Sequence, residues 1–279
     1  MKGFRKLLPA KRHDRSIKEK PAIKGIWYFD QLNVSHLKHL SDEELQKAFM
    51  DHYDLWKAGK VATKFPFGLR PKKSKKYNLV MNGLLDTIIA RMVGTATSSQ
   101  DLQGRKLAIG TGNGTPDVDE TVLEQEFYRA SFTQATPVDN QASFVLFVNR
   151  STANGYTTDA VTDAGNTTTY FLVDPATAAN FQIGNTIRVT TSVGFDFTTV
   201  TDINLALNTL TVNPPLSAIP ITGDQVVQAW AEAGVFGNDT ATGVANTGTM
   251  FNRVNQLDFA KDDQNVILIE VLFIFTIVP

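Results

Sequence analysis

Two absences limit the chemistry of this chain of 279 residues. It contains no cysteine, which excludes disulfide bonds and thiolate metal sites. All four of its histidines lie within residues 1–52, so the rest of the chain lacks the usual general base for a serine nucleophile. We therefore expect a protein that is not an enzyme.

Long apolar runs are also scarce. The first residues, MKGFRKLLPAKRHDR, carry basic charge but no continuous apolar stretch, so we expect no signal peptide. The most apolar run, residues 266–278 (VILIEVLFIFTIV), is shorter than the roughly 20 residues that a membrane helix needs. A strand buried on both faces is expected instead, and no membrane insertion. Glu270 within this run needs a partner, for which Arg129, Arg253 or a position at a sheet edge are the candidates.

The net charge of −1 conceals a strong asymmetry along the chain. Residues 1–80 contain 19 Lys and Arg against 8 Asp and Glu, whereas the remainder contains 8 basic and 20 acidic residues. Such a difference indicates two chemically distinct parts in one chain. We predict that residues 1–104 form a basic N-terminal arm that carries one or two helices.

The start of this arm shows no helical or alternating period over residues 1–35. Its residues 26–29 and Leu32 are too apolar for a free tail, which favours an arm that becomes ordered on a partner over a solvated, disordered tail. A helix is predicted at about 42–58, because Ser41 and Glu44 fit a capping box. Its apolar stripe is either core or a partner groove and consists of Leu45, Ala48, Phe49, Tyr53 and Trp56. A second helix is predicted at 82–93.

Between these helices lies a basic run, RPKKSKK, with Arg70, Lys72, Lys73, Lys75 and Lys76. Three interpretations remain open for it: contact with nucleic acid, contact with an acidic protein surface, or a solvated linker. No zinc finger or recognition-helix pattern accompanies it, so sequence-specific DNA binding is not expected. The histidines at 36 and 39 have the spacing of two metal ligands on a helix, but no third ligand accompanies them, and no metal is expected.

From residue 105 onward the chain reads as β-structure. Residues 105–150 and 229–279 are predicted to form an antiparallel β-sandwich body, with strands at 142–149, 230–236, 250–257 and 266–278. Residues 151–228 contain short strands at intervals of about ten residues, separated by Gly, Asn, Asp and Pro turns, which predicts an inserted small β-barrel or sandwich. The expected fold class is mainly β.

The segment Leu107–Glu120, LAIGTGNGTPDVDE, superficially resembles a dinucleotide loop. Its spacing is GxGxG and acidic residues follow it, so a glycine-rich connection is favoured over a nucleotide site and no cofactor is expected. The nearby carboxylates could form a glycosidase pair, but solvated surface or capping is the favoured role. These are Asp117, Asp119, Glu124 and Glu126.

Four segments together resemble a known family: LAIGTGNGTPDVDETVLEQEFYRASFT, ASFVLFVNRSTANG, AEAGVFG and GTMFNRVNQLDFAKDDQNVILIEVLFIF. They are similar to the β-sandwich domains of tailed-bacteriophage virion proteins, which occur in tail, collar and fibre-anchoring components. The resemblance covers residues 105–150 and 229–278. The matching positions are Leu123, Glu126, Arg129, Glu232, Gly234, Phe236, Arg253 and Val254.

This resemblance implies a structural protein of a phage virion, in the tail, neck or collar, or fibre-attachment region, assembled in the host cytoplasm. Such a component is expected to be a homo-oligomer that docks other virion proteins through its N-terminal arm. The residues expected to contact partners are Trp27, Tyr28, Phe29, Phe49, Trp56, Arg70, Lys72, Lys73, Lys75 and Lys76. The alternatives are a host-surface carbohydrate-binding appendage and a virion protein that contacts nucleic acid.

Overall fold

The computed structural model describes residues 22–95, 102–138 and 140–276, and within these ranges the chain is mainly β. The first 21 residues of the predicted arm therefore lie outside the described residues. No helix within these ranges is long and apolar enough to cross a membrane.

Fifteen strands and two α-helices make up the described part of the chain. The first six strands are β1 (Ala22–Asn33), β2 (Lys72–Val80), β3 (Gly104–Gly110), β4 (Glu126–Ser131), β5 (Gln134–Val138) and β6 (Gln141–Val148). The next six are β7 (Thr157–Val161), β8 (Tyr170–Val173), β9 (Thr186–Thr191), β10 (Gly194–Asn204), β11 (Thr209–Asn213) and β12 (Gln225–Gln228). The last three are β13 (Trp230–Gly237), β14 (Thr249–Phe259) and β15 (Asn265–Thr276). The helices are α1 (Asp42–Lys57) and α2 (Asn82–Met92), with short 3₁₀ helices at Ser35–Leu37 and Ala178–Asn180.

Nine strands form one antiparallel sheet in the order β4-β3-β13-β14-β2-β1-β15-β6-β5. The sheet folds over on itself, because side chains from distant strands meet in one core. The rings of Phe29 on β1 and Phe259 on β14 lie 5.4 Å apart although β2 separates their strands. Trp27, Leu107, Trp230 and other buried residues from both halves share this core. The predicted antiparallel, sandwich-like class is therefore confirmed.

The other six strands form a closed barrel in the order β10-β11-β8-β7-β12-β9. Its own core contains Phe171, Ile187, Val189, Leu210 and Val226. The chain enters the barrel after β6 and leaves it directly into β13, so the expected insertion is confirmed. The barrel is joined to the body by a backbone hydrogen bond from Thr186 N to Thr111 O at 2.9 Å and by Asn185 Nδ2, which donates to Thr111 Oγ1 at 2.9 Å.

The prediction of an extended arm is wrong for residues 22–33. These residues form β1, which lies inside the sheet and pairs with β15 from Ala22↔Thr276 to Asn33↔Asn265. Trp27 and Phe29 are fully buried on its inner face. The linker interpretation of the lysine run is also wrong, because Lys72–Val80 is strand β2 and pairs with β1.

Both predicted helices are confirmed. The capping box of α1 is present, since Glu44 N donates to Ser41 Oγ at 3.2 Å and Ser41 N donates to Glu44 Oε2 at 2.7 Å. Three residues of its stripe are core, because Leu45, Phe49 and Tyr53 are buried against the outer face of the sheet, whereas Trp56 is only partly buried. Helix α1 therefore covers part of the face that β1, β15 and β6 turn away from the sandwich core.

Candidate functional site

Two buried carboxylates mark the outer face of the sheet beside α1. Asp30 on β1 and Glu270 on β15 are 4% and 6% exposed. The ammonium group of Lys64 bridges them, donating to Asp30 Oδ2 at 2.8 Å and to Glu270 Oε2 at 3.3 Å. The Tyr53 hydroxyl and Lys57 Nζ both donate to Glu270 Oε1, at 2.8 Å and 3.0 Å. This cluster fixes α1 and the segment that follows it to the sheet.

The charge state of this cluster follows from its contacts. Burial is the largest influence on the pKa of Glu270 and acts to raise it, but Lys64, the Tyr53 hydroxyl and Lys57 together outweigh burial and lower the pKa. Burial and the nearby Glu270 carboxylate raise the pKa of Tyr53 above its usual value, so its hydroxyl remains a donor. A general acid at neutral pH needs a raised carboxyl pKa. Glu270 instead has a lowered pKa, remains ionised at neutral pH and holds two lysines.

An open groove of about 540 Å³ lies above this cluster. We call it the lysine groove and define it by Tyr28, Trp56, Lys57, Lys64, Lys73 and Lys75. Asp30 and Glu270 form its floor, and Leu272 adds an apolar contact. The groove therefore combines aromatic, apolar and cationic surface on a rigid sheet, which is typical of a binding surface.

Aromatic rings hold the lysines of the groove in position. Lys75 Nζ lies 5.5 Å from the ring centroid of Tyr28 and 5.0 Å from that of Tyr77. Lys57 Nζ lies 5.7 Å from the ring centroid of Trp56. Cation–π contacts of this kind orient an ammonium group without neutralising it.

The lysine groove has an excess of positive charge. Its two carboxylates are paired with Lys57 and Lys64. Within the described ranges, no carboxylate lies within ion-pair distance of Lys73 or Lys75, and both side chains are exposed. These two lysines are therefore available to an anionic ligand.

Three of the residues predicted to contact partners lie inside this chain's own core. Trp27 and Phe29 are fully buried between the two halves of the sheet, and Phe49, on the inner side of α1, is 1% exposed. The prediction is wrong for these three residues, because alternate positions of a central strand and the inner side of α1 face the core.

The structure brings four of the other predicted residues together in the lysine groove: Tyr28, Trp56, Lys73 and Lys75. The remaining three do not line it. Lys76 points to the opposite face of β2 and donates to Gln256 O at 2.5 Å. Lys72 and Arg70 are exposed, and Lys72 Nζ lies 6.0 Å from the ring centroid of Phe195 on the barrel. Partner contact through these seven residues stays a prediction.

Sequence reasoning missed the partners of the cluster. Glu270 stood out as a polar residue in an apolar run, but the predicted partners Arg129 and Arg253 are wrong. Arg129 Nε pairs with Glu126 Oε1 at 2.6 Å, and Arg253 Nη2 pairs with Glu232 Oε2 at 2.8 Å. No local pattern relates Asp30, Lys64 and Glu270, since they meet through the pairing of β1 with β15 and the packing of the segment after α1 on these strands.

The glycine-rich segment serves as a close-packed connection. A Cβ atom on Gly110 would lie 2.7 Å from Gln125 O and 2.8 Å from Glu232 Cγ, and a Cβ on Gly112 would lie 2.8 Å from Glu232 Oε1. Burial raises the pKa of Glu232 even though the backbone amide of Gln125 and the charge of Arg253 act to lower it. A carboxylate thus occupies the space that a phosphate would need, which supports the connection over the nucleotide site.

The other acidic residues of this region have structural contacts. Asp117 Oδ1 accepts a hydrogen bond from Asp119 N at 2.9 Å, and both oxygens of Glu126 accept from Arg129 at 2.6 Å. These contacts favour turn formation and ion pairing over a glycosidase pair. Within the described ranges, no group of three His, Cys, Asp or Glu side chains could hold a metal ion.

No protein-family model, no curated protein and no solved structure matches this chain.

Proposed function

We propose that this chain is a structural component of a bacteriophage virion, in the tail, neck or fibre-attachment region, and that it docks other virion proteins. Two lines of reasoning support the proposal. The first is the sequence resemblance of residues 105–150 and 229–278 to virion β-sandwich domains. The second, which carries the proposal, is the lysine groove, where Lys73 and Lys75 stand on a rigid strand without a carboxylate partner. Such a surface suits recognition of an acidic protein.

The mode of docking differs from the one expected from the sequence. Strands β1 and β2 and helix α1 belong to the folded body, so the basic residues at 72–76 are presented on a sheet and not on an extended arm. A preformed surface loses little conformational entropy on binding. Docking in this proposal therefore uses a rigid face of the body.

Helix α2 supports the homo-oligomeric part of the proposal. Leu84 on this helix is buried, and Ile88 packs against the sandwich core. Leu85, Ile89 and Met92 lie on its other side at 38%, 56% and 80% exposure. Monomeric proteins rarely expose contiguous apolar surface of this kind, and a second copy of the chain is the occupant that a self-complementary oligomer supplies.

The oligomer is tested by measuring the mass of the full-length chain by analytical ultracentrifugation. We expect a defined oligomer for the natural chain and monomers for the double variant Ile89→Asp, Met92→Asp. The matched control is Ile183→Asp, Leu207→Asp, because these residues are similarly exposed and belong to the inserted barrel. A natural chain that stays monomeric at all concentrations, with the circular dichroism of a folded β protein, would contradict the oligomeric proposal.

The place in a virion is tested by quantitative mass spectrometry of phage particles purified from a lysate that produces this chain. We expect the chain at a fixed number of copies for each particle, after washing at high salt. Its absence from purified particles that contain their other structural proteins would contradict the proposal.

A host-surface carbohydrate-binding appendage is the second candidate. Trp56 and Tyr28 flank the lysine groove, and aromatic rings beside carboxylates are typical sugar-binding surfaces. On the barrel, where the sequence suggested this function, Tyr156 is exposed and Tyr170 is half-buried. A glycan array without a hit would remove this candidate. Contact with nucleic acid predicts affinity that falls steeply with salt.

A further inference from the structure

Strand β2 has an unequal pairing on its two sides. On one side it pairs with β1 along seven positions, from Gly25↔Asn78 to Gln31↔Lys72. On the other side β14 pairs only with Leu79 and Val80. Among the described residues, no strand pairs with residues 72–78 on that side. The sheet therefore contains an open edge next to the lysine groove.

The irregular course of β14 explains this opening. Its pairing with β13 shifts register between Trp230↔Phe259 and Glu232↔Asn255. Within this stretch Gln256 and Asp258 have φ angles of 54° and 53°, which residues with a Cβ atom adopt rarely. A bulge of this kind bends its strand and ends regular pairing with the neighbour. The open edge is thus built into the fold.

The side chains at this edge have a regular spacing. Lys73, Lys75 and Tyr77 alternate with residues that face the other way, so they share the outer face of β2 at intervals of roughly 6.6 Å. A strand added at the open edge would place every second side chain directly opposite these residues. Carboxylates at alternate positions of such a strand would meet Lys73 and Lys75.

We propose that the open edge of β2 binds an extended acidic segment of a partner protein as an added β-strand. Backbone hydrogen bonds to residues 72–78 provide the pairing, and alternate Asp or Glu side chains form ion pairs with Lys73 and Lys75. This inference deepens the proposed function, on which it rests for the statement that the partner is a virion protein.

Charge distinguishes this partner from the other occupants. Residues 1–21 of this chain contain eight Lys and Arg against two Asp and Glu, so the lysines of β2 would repel them. A second copy offers an acidic barrel, with six aspartates and one arginine in residues 151–228. The barrel strands are closed and have no free edge, however, and the edge strands β4 and β5 carry one carboxylate, Glu126, which pairs with Arg129. An acidic segment from a different protein fits the edge without either conflict.

The test uses the full-length chain and a fluorescein-labelled peptide of alternating Glu and Val, with fluorescence anisotropy as the readout. A peptide of alternating Lys and Val is the charge control. Two further Glu-Val peptides are N-methylated, one at the odd residues and the other at the even residues. Each pattern removes the backbone N–H donors along one edge of the extended peptide. We expect the Glu-Val peptide to bind, the Lys-Val peptide not to bind, and at least one methylated peptide to lose binding.

Two variants connect binding to the edge. The double variant Lys73→Glu, Lys75→Glu is expected to bind the Glu-Val peptide about tenfold more weakly, since it replaces two favourable cross-strand pairs by two repulsive ones. Lys38→Glu, Lys60→Glu makes the same change of charge at exposed positions away from β2 and is expected to leave binding unchanged. Both variants are compared with the natural chain by circular dichroism and thermal unfolding, so a loss of folding is recognised.

Four results would overturn the proposal. Equal binding of all methylated peptides would show attraction without strand addition, and equal binding by the Lys73→Glu, Lys75→Glu variant would exclude this edge. A fraction of bound peptide that falls as the concentration of the natural chain rises would identify a second copy as the occupant. Amide exchange at residues 73–77 as slow in the free chain as in β15 would mean that the edge is already covered. Oligomer mass and virion content are measured without the peptide, so a failure here leaves those tests of the proposed function unaffected.

Discussion

Replacing Glu270 with glutamine removes the negative charge at the centre of the ion-pair cluster but preserves the size of the side chain. In the natural chain this carboxylate accepts from Tyr53 and Lys57 and shares Lys64 with Asp30. The variant leaves two ammonium groups with one carboxylate between them. We therefore expect Glu270→Gln to lower the free energy of unfolding.

The magnitude follows from the burial of each partner. Breaking a fully buried ion pair costs about 3–5 kcal/mol, whereas an exposed pair contributes about 0–1 kcal/mol. The side chain of Lys57 is 41% exposed and regains water. Lys64 is 16% exposed but keeps Asp30 at 2.8 Å. Because Lys57 regains water and Lys64 keeps Asp30, we expect Glu270→Gln to lower the free energy of unfolding by about 2 kcal/mol.

The pH dependence of this loss provides a sharper test. Because the pKa of Glu270 in the folded state is lower than its usual value of 4.5, the stabilisation is complete above pH 4.5 and is lost as the pH falls through the folded-state pKa. The difference between the natural chain and Glu270→Gln should therefore shrink as the pH falls below 4.5. Glutamine at this position does not titrate, so the variant supplies the reference curve.

Urea unfolding followed by tryptophan fluorescence, at several pH values between about 7 and 3.5, measures both effects. Glu43→Gln is the matched control, because Glu43 is exposed in the first turn of α1 and contributes only about 0.3–1 kcal/mol through the helix dipole. The reasoning would be refuted if Glu270→Gln lowered the free energy of unfolding no more than Glu43→Gln does at neutral pH. It would also be refuted if the effect of Glu270→Gln stayed constant down to pH 3.5.

Two further predictions concern other parts of the body. Gly110→Ala should destabilise the chain by about 1–3 kcal/mol in urea unfolding, because the added Cβ would lie 2.7 Å from the backbone oxygen of Gln125. Gly243→Ala, which meets no atom within 4 Å, should have little effect, and equal losses would contradict the packing argument. Burial lowers the pKa of Lys261 from 10.5 to about 8. Between these two pH values the unfolded state binds more protons than the folded state, so this residue's contribution to the free energy of unfolding rises with pH. Lys261→Met should remove that rise. An unchanged pH dependence of the free energy of unfolding in this variant would contradict the prediction.

Local signals in the sequence were sufficient for several elements. Ser41 and Glu44 predicted the start of α1, because a capping box depends only on residues three apart. Residues 266–278 predicted a strand, since few other structures accommodate a short run of β-branched and aromatic residues. Strand β15 spans Asn265–Thr276. The regular turns of residues 151–228 similarly predicted the barrel.

Strands β1 and β2 could not be predicted in this way. β1 has buried residues on both faces, Trp27 towards the sandwich core and Leu32 towards α1, which removes the alternation of a half-buried strand. β2 is rich in lysine because much of it is exposed beside the open edge, and such residues have low strand propensity. Pairing with β1 makes it a strand, and that pairing is a tertiary effect.

The candidate site was predictable only in part. The lysine run and the aromatic residues at 27–29 and 56 were predicted to contact partners, but their division between core and surface depends on which face of each strand is covered. The cluster of Asp30, Lys64 and Glu270 joins residues up to 240 positions apart in the sequence. No spacing rule connects such positions, because their proximity follows from sheet topology and from the packing of the segment after α1.

The pairing of β1 with β15 also determines the order in which parts of the protein can fold during synthesis. The ribosome makes β1 near the beginning of the described chain and β15 at its end, so β1 waits for its partner until almost all of these residues have emerged. The barrel strands pair within residues 157–228 and can fold during translation. In the interval the apolar residues of β1 remain uncovered on the nascent chain. We therefore expect truncations that remove β15 to aggregate even though they retain the barrel strands.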